Sequence, residues 1–178
     1  MIHFEKTSVL SVCARDLYDW HLQPGALEAL TPPWEPVRVL NESFALEEHA
    51  ELTLELSLGP FKLHWIAHHQ NIVPERRFDD IQRKGPFKQW HHQHLFEPLS
   101  EETTRMRDVI ACSLPGGAIA EQLLGWAVRK KLRRLFDYRH QQLYDRFGQV
   151  KPAFVTVSYT HLRAHETVLD LVCRLLLE

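Results

Sequence analysis

Between residues 50 and 58 the chain alternates without a break. Ala50, Leu52, Leu54, Leu56 and Leu58 fall on one side, and Glu51, Thr53, Glu55 and Ser57 on the other. A period of two residues is that of an extended strand with one buried and one wet face, the usual condition of an antiparallel sheet. After a Gly59-Pro60 turn, Phe61, Leu63, Trp65 and Ala67 alternate along a second strand, 61–73. Pro74-Glu75 and Gly85-Pro86 separate further strands at 76–84 and 87–96. A last strand, 103–114, keeps Met106, Ile110 and Cys112 on one side. Upstream, 3–12 and 34–41 are rich in β-formers and read as strands. Between these two, Leu17, Trp20, His21 and Leu27 fall near helical spacing, and Pro24-Gly25 divides the stretch into two short helices that end at Thr31-Pro32-Pro33.

The period changes once more after Pro115-Gly116-Gly117. Residues 118–147 contain no proline and a single glycine, Gly125. Leu124, Val128, Leu132 and Leu135 form an apolar stripe, with Arg129, Lys130, Arg133 and Arg134 elsewhere around the helix, and Gly148 is a stop. About six to seven strands joined by short turns, with one long helix laid across them, predict an α+β fold.

The final stretch departs from this design. Back-translated, Val157–Thr167 matches a common transposon-type sequencing adapter. After a gap the size of an index, Asp170–Glu178 (DLVCRLLLE) matches the next adapter stretch in the same frame. Residues 157–178 are therefore expected to be an adapter-derived artefact outside the fold, although Leu169, Val172 and Leu176 also keep helical spacing. The natural C-terminus is then expected beyond Thr156.

Without Arg163, Arg174, Glu166, Asp170 and Glu178, the formal charge moves from −2 to −1. A near-neutral domain is not a general nucleic-acid binder. Cys13 and Cys112 remain, without CxxC or Cys/His ligand spacing, and read as reduced core thiols of a cytoplasmic protein. No apolar run is long enough for stable membrane insertion.

Several motifs point to a family. Leu17-Tyr18-Asp19-Trp20-His21, Pro24-Gly25-Ala26 and Leu30-Thr31-Pro32-Pro33-Trp34-Glu35 open the domain. Gly85-Pro86-Phe87-x-x-Trp90-x-His92, Leu114-Pro115-Gly116-Gly117 and Phe136-x-Tyr138-Arg139-His140 follow. Together they resemble a bacterial subgroup of the SRPBCC, or START-like, superfamily, which includes polyketide cyclases/dehydrases and coenzyme Q-binding-like proteins. The resemblance implies a helix-grip fold, with a curved antiparallel sheet wrapped around the C-terminal helix and a cavity between them. It assigns residues 1–148 to a ligand-binding domain. In some relatives this domain precedes an epimerase-like Rossmann-type domain. Residues 149–156 are accordingly either a linker and the start of such a fused domain or an ordinary β-prone tail; no glycine-rich dinucleotide fingerprint is present.

Candidate chemistry centres on histidine. His64, His68, His69, His91, His92 and His94 crowd two predicted strands. Trp90, His92, His94 and Phe96 share one face of theirs, and His91, Gln89 and Gln93 the other. His92-x-His94 is the residue basis of a metal site, but no Asp or Glu stands at a ligand spacing from it, so no metal and no cofactor are expected. Glu35 and Asp108 lie near elements that line the cavity in this fold. Asp79-Asp80, flanked by Arg76-Arg77 and Arg83-Lys84, reads as a solvated pair. The helix cations, with Arg139 and Arg146, read as a solvated face or as a site for anionic lipid headgroups.

A hydrophobic small molecule (lipid, isoprenoid or polyketide-like) is the expected partner. Trp20, Leu30, Trp34, Leu54, Trp65, Trp90, His92, Phe96 and Trp126 are expected to line its cavity. One alternative is a cyclase/dehydratase-like enzyme with His92 or His94 as base and Glu35 or Asp108 as acid. Another is an accessory domain of a truncated epimerase-like NAD(P)-dependent oxidoreductase.

Overall fold

A computed structural model of the chain describes residues 1–35, 37–41, 47–58 and 61–150. The order is β1 (Ile2–Leu10), α1 (Ala14–His21), α2 (Ala26–Ala29), β2 (Val37–Val39), β3 (Glu51–Leu58), β4 (Phe61–Val73), β5 (Arg77–Lys84), β6 (Gln89–Ser100), β7 (Thr103–Ser113) and α3 (Gly117–Phe147). The strands form one seven-stranded antiparallel sheet in the order β1-β7-β6-β5-β4-β3-β2. Only the connection from β1 to β2 leaves the meander, and it carries α1 and α2. Register shifts in the β4–β5 pair, after Ile66 and again after Gln70, are bulge-type irregularities that bend a sheet. The expected α+β helix-grip arrangement, a curved sheet around a long C-terminal helix, is the one observed.

Alternation decides what faces inward. On β7, Thr104, Met106, Asp108, Ile110 and Cys112 are all buried, and on β6 so are His92, His94 and Phe96. The strand expected over 34–41 is shorter, Val37–Val39, and pairs only with β3.

At its start α3 uses Gly116 and Gly117, both at positive φ (92° and 65°), which L side chains resist. It ends at Gly148, whose N–H donates to the Tyr144 carbonyl at 2.9 Å. The buried stripe runs through Leu132, Phe136, His140 and Leu143. Leu124, expected in that stripe, is 55% exposed; with Ile119, Leu123 and Trp126 it lies on the open side of the first turns.

Two apolar clusters hold the helix to the sheet. One contains Leu10, Leu17, Tyr18, Trp20, Phe78, Phe96, Met106 and Leu143. The other contains Ile2, Ile110, Cys112, Leu114, Leu132 and Phe136. Three elements pass from one cluster to the other: β6 between Trp90 and Phe96, β7 between Met106 and Ile110, and α3 between Phe136 and Leu143. Each carries a polar side chain at the crossing, which is where the candidate site lies.

Gln149 bridges Leu10, and the Val150 N–H donates to the Val9 carbonyl at 3.2 Å, so the chain leaves α3 along β1. The rest of the 149–156 segment and the adapter-like residues 157–178 lie outside the described residues. Among the described residues no helix is long and apolar enough to cross a membrane. Cys13 and Cys112 are free thiols; Cys13 Sγ caps α1 by accepting from the Asp16 N–H, and Cys112 is buried.

Candidate functional site

A cavity of about 440 Å³ lies between the sheet and α3. Its apolar wall comes from β3 and β4 (Leu52, Leu54, Leu56, Leu63, Trp65, Ala67), from Leu27 and Leu30 after α1, and from Val128, Leu132, Leu135 and Phe136 of α3. Trp65, Phe87 and Trp90 form one aromatic corner, with Trp65–Trp90 edge-to-face at 5.1 Å and Trp65–Phe87 at 5.8 Å. Glu35 and Lys131 also border the cavity and pair at 3.0 Å; the Lys131 side chain is 60% exposed, so this pair marks the mouth.

The polar part of the wall consists of His21, His69, Asp80, His92, His94 and Arg139. Behind it stands Asp108. Its Oδ1 meets His92 Nε2 at 2.8 Å and His94 Nδ1 at 3.1 Å, and its Oδ2 meets His140 Nε2 at 2.8 Å. Ser8 Oγ lies 2.5 Å from the other nitrogen of His140. Asp80 faces the same histidines from β5. Its Oδ2 is 3.1 Å from His94 Nε2 and 3.8 Å from His92 Nδ1, and its Oδ1 is 2.8 Å from His69 Nε2. The strand registers explain this convergence: Asp80 stands directly opposite His92, and His94 directly opposite Asp108.

Burial penalises both carboxylates, but the hydrogen bonds they accept outweigh it and hold both well below the usual range: His140, His92 and His94 for Asp108, His69 and His94 for Asp80. For His94 burial pulls down, yet hydrogen bonds to Asp108 and Asp80 prevail and raise it to about 9. His92 goes the other way, to about 4, through burial and then the neighbouring His94 charge, against the pull of Asp108. Burial likewise takes His21 to about 4 against its Leu17 hydrogen bond. His21 Nδ1 donates to the Leu17 carbonyl at 2.7 Å, and its Nε2 has no hydrogen-bond partner among the described residues. Burial also lowers Arg139, against the attraction of Asp108 and Asp80. The Arg139 guanidinium lies 5.1 Å from the Phe136 ring centroid, and its Nε makes no hydrogen bond among the described residues.

Of the residues expected to line the cavity, Leu30, Leu54, Trp65, Trp90 and His92 do so, as do His94 and Glu35. Trp20 and Phe96 are instead packed into the core beneath α1: Trp20 against Phe147, Phe96 against Tyr18 and His21. Trp34 is 41% exposed and packs outside the cavity, edge-to-face with Tyr138 and beneath the Arg134 guanidinium. Trp126 is 64% exposed, because it lies six residues before Leu132, about 120° around the helix from the buried stripe.

Two charge expectations are also overturned. Asp79-Asp80 is not a solvated pair: alternation sends Asp80 to the cavity and Asp79 to the opposite face. There Arg77, His91 and Asn71 enclose the Asp79 carboxylate completely. Arg139 does not share the solvated face of α3, since it falls next to His140 on the inward side. Residue type alone therefore does not single out Asp80, His21, Arg139 or His140. The strand period separates Asp80 from Asp79, and the 3.6-residue period links Phe136, Arg139, His140 and Leu143.

The chain is similar to solved structures of this shape. A protein from Thermus thermophilus aligns with a TM-score of 0.62 at 15% identity, over 81% of this chain and 95% of that one. A START superfamily protein from Mycobacterium smegmatis aligns at 0.59 and 13% identity, over 83% and 97%. A nucleoside-diphosphate sugar epimerase from Corynebacterium glutamicum aligns at 0.58 and 28% identity, over 80% of this chain but only 28% of that one. No functionally curated protein matches. Residues 10–137 match the family described as polyketide cyclase / dehydrase and lipid transport, and the chain belongs to that family.

Proposed function

We propose that the cavity binds a hydrophobic small molecule, lipid-, isoprenoid- or polyketide-like, that carries one polar end. The observation that carries this reading is the division of the wall: leucine and tryptophan on one part, a compact His/Asp/Arg group on the other. Small-molecule sites of roughly 300–1,000 Å³ are built this way, with apolar area supplying affinity and a few polar groups fixing orientation. The apolar body lies against Leu54, Trp65 and Trp90, and the polar end meets His92, His94 and Arg139. Free thiols at Cys13 and Cys112 fit the expected cytoplasmic location.

Native mass spectrometry of the purified domain tests the binding. It is expected to show a retained apolar ligand or one equivalent of a hydrophobic fluorescent probe. Leu54→Trp, which fills the cavity from β3, is expected to weaken probe binding at least about tenfold. A wild type that retains nothing and binds no probe refutes the reading.

A cyclase- or dehydratase-type reaction in the same cavity is a second reading, favoured by the buried contact of His92 with Asp108 at 2.8 Å. A β-hydroxy or poly-β-ketone substrate is then converted by the wild type and not by His92→Gln; equal rates refute it. The 28% identity to the epimerase, of which this chain spans 28%, supports a third reading, an accessory domain fused to a Rossmann-type partner. Sequencing of the source gene tests that one, and a stop codon soon after Thr156 rules it out.

A further inference from the structure

We infer that Asp80, His92 and His94 form a binding site for a divalent first-row transition-metal ion, opening onto the cavity. One oxygen of Asp80 and one ring nitrogen from each histidine all lie within 4.8 Å of one another. Metal–ligand bonds of about 2.1 Å at angles between 90° and 109° separate adjacent donors by about 3.0–3.4 Å. The observed separations from Asp80 Oδ2, 3.1 Å to His94 Nε2 and 3.8 Å to His92 Nδ1, need only a few tenths of an ångström of adjustment. The donors also sit on rigid elements. His92 and His94 share the inner face of β6, and Asp80 is hydrogen-bonded into β5 opposite His92.

The other nitrogens of the two rings strengthen the case. His92 Nε2 is hydrogen-bonded to Asp108 Oδ1 at 2.8 Å, and His94 Nδ1 lies 3.1 Å from the same oxygen. A carboxylate accepts, so His92 Nε2 carries a proton and, in the neutral ring, His92 Nδ1 holds the lone pair. His92 Nδ1 is turned toward Asp80 Oδ2, and His94 Nε2, which donates to that oxygen when protonated, would give up its proton to take the metal ion. A carboxylate behind each histidine is the outer shell that orients and strengthens metal-bound imidazole. Asp108 serves both rings here, and is itself held by His140 and, through it, Ser8.

Two imidazoles and one carboxylate suit zinc, iron(II) or cobalt(II) rather than magnesium or calcium, which prefer oxygen alone. Three protein donors leave coordination positions free on the side of Arg139 and the apolar wall. A ligand oxygen can reach the ion there, and the ion would act on it as a Lewis acid. The alternative occupant of the space is a proton, which would make the cluster a hydrogen-bonded network and nothing more.

The inference does not depend on which hydrophobic ligand the cavity takes, and the experiment uses metal alone. Untagged protein, stripped with a chelator, is titrated with Co(II) and followed by visible d–d absorption and by elemental analysis after desalting. One equivalent is expected to bind, with a spectrum of mixed nitrogen and oxygen ligation. Asp80→Asn and His94→Gln are expected to lower affinity by more than about 100-fold, and Asp108→Asn by about 10–100-fold with the ligation spectrum retained. Circular dichroism identifies any variant that has lost its fold, in which case the wild-type stoichiometry and spectrum decide alone. Wild-type protein that retains no Co(II) after desalting, or whose spectrum is that of the hydrated ion, overturns the site. Binding of a hydrophobic probe by the stripped protein separates that failure from failure of the cavity reading.

Discussion

Asp108 is the side chain on which most of the polar interior depends. It is 2% exposed and holds three histidines from two elements. Asp108→Asn removes the charge while keeping the shape, and is expected to destabilise the fold by about 3–5 kcal/mol, the usual result of breaking one side of a buried ionic group; denaturant unfolding checks it. Cys112 gives a cleaner titration, since it stands apart from this cluster. Burial, with the Glu121 charge, raises its thiol to about 11. The unfolded thiol ionises near 9 while the folded one remains protonated, so stability falls as pH rises from about 9 to about 11. Cys112→Ala is expected to remove that part of the slope, and at about pH 8 a thiol reagent should label Cys13 well before Cys112. Sequence patterning brings His92, His94 and Asp108 forward, because alternation along two β-rich stretches places them on inner faces. Asp80 and Arg139 stay hidden for one reason: a charged residue in a stretch rich in charge looks solvated, and only the phase of the element shows that each turns inward.

At the scale of elements, α3 shows what periodicity can and cannot convey. Its extent and its glycine stop are legible to within one residue, because a run without proline bounded by Pro-Gly-Gly and Gly has few alternatives. The position of its buried stripe is not: Leu124 and Trp126 are large and apolar, yet exposed, whereas Arg139 and His140 face inward. Residue type alone mistakes the phase when a helix borders a polar cavity. The helix start offers a direct test. Gly116 has φ 92°, and a Cβ there would come within 3.1 Å of the Ala120 Cβ. Gly116→Ala is expected to lower stability by roughly 1–2 kcal/mol through the left-handed backbone alone. A shift of the urea midpoint at constant slope would register it. An unchanged midpoint would mean that the turn relaxes.

For the whole molecule, stability is expected to be graded across the sheet. β6 and β7 are each paired on both sides, carry the inner faces of both apolar clusters and pack against α3 and α1. β2, three residues long, pairs on one side only. Hydrogen exchange should therefore be slowest in β6 and β7 and fastest in β2; uniform protection would contradict this gradient. The polar cavity interrupts the core at the crossing of β5, β6, β7 and α3, so the least replaceable contacts are also those that equip the site. The enclosed Asp79 on the far face then acquires a meaning of its own. A strand transmits a parity, odd residues to one side and even to the other, and a slip of one step reverses the whole message. Arg77, Asn71 and His91 recognise Asp79 on the outside and thereby certify that its neighbour, Asp80, is delivered to the inside. Asp79 works as a checksum for a cavity it never touches, and an error there would be read as a lost site rather than as a surface change.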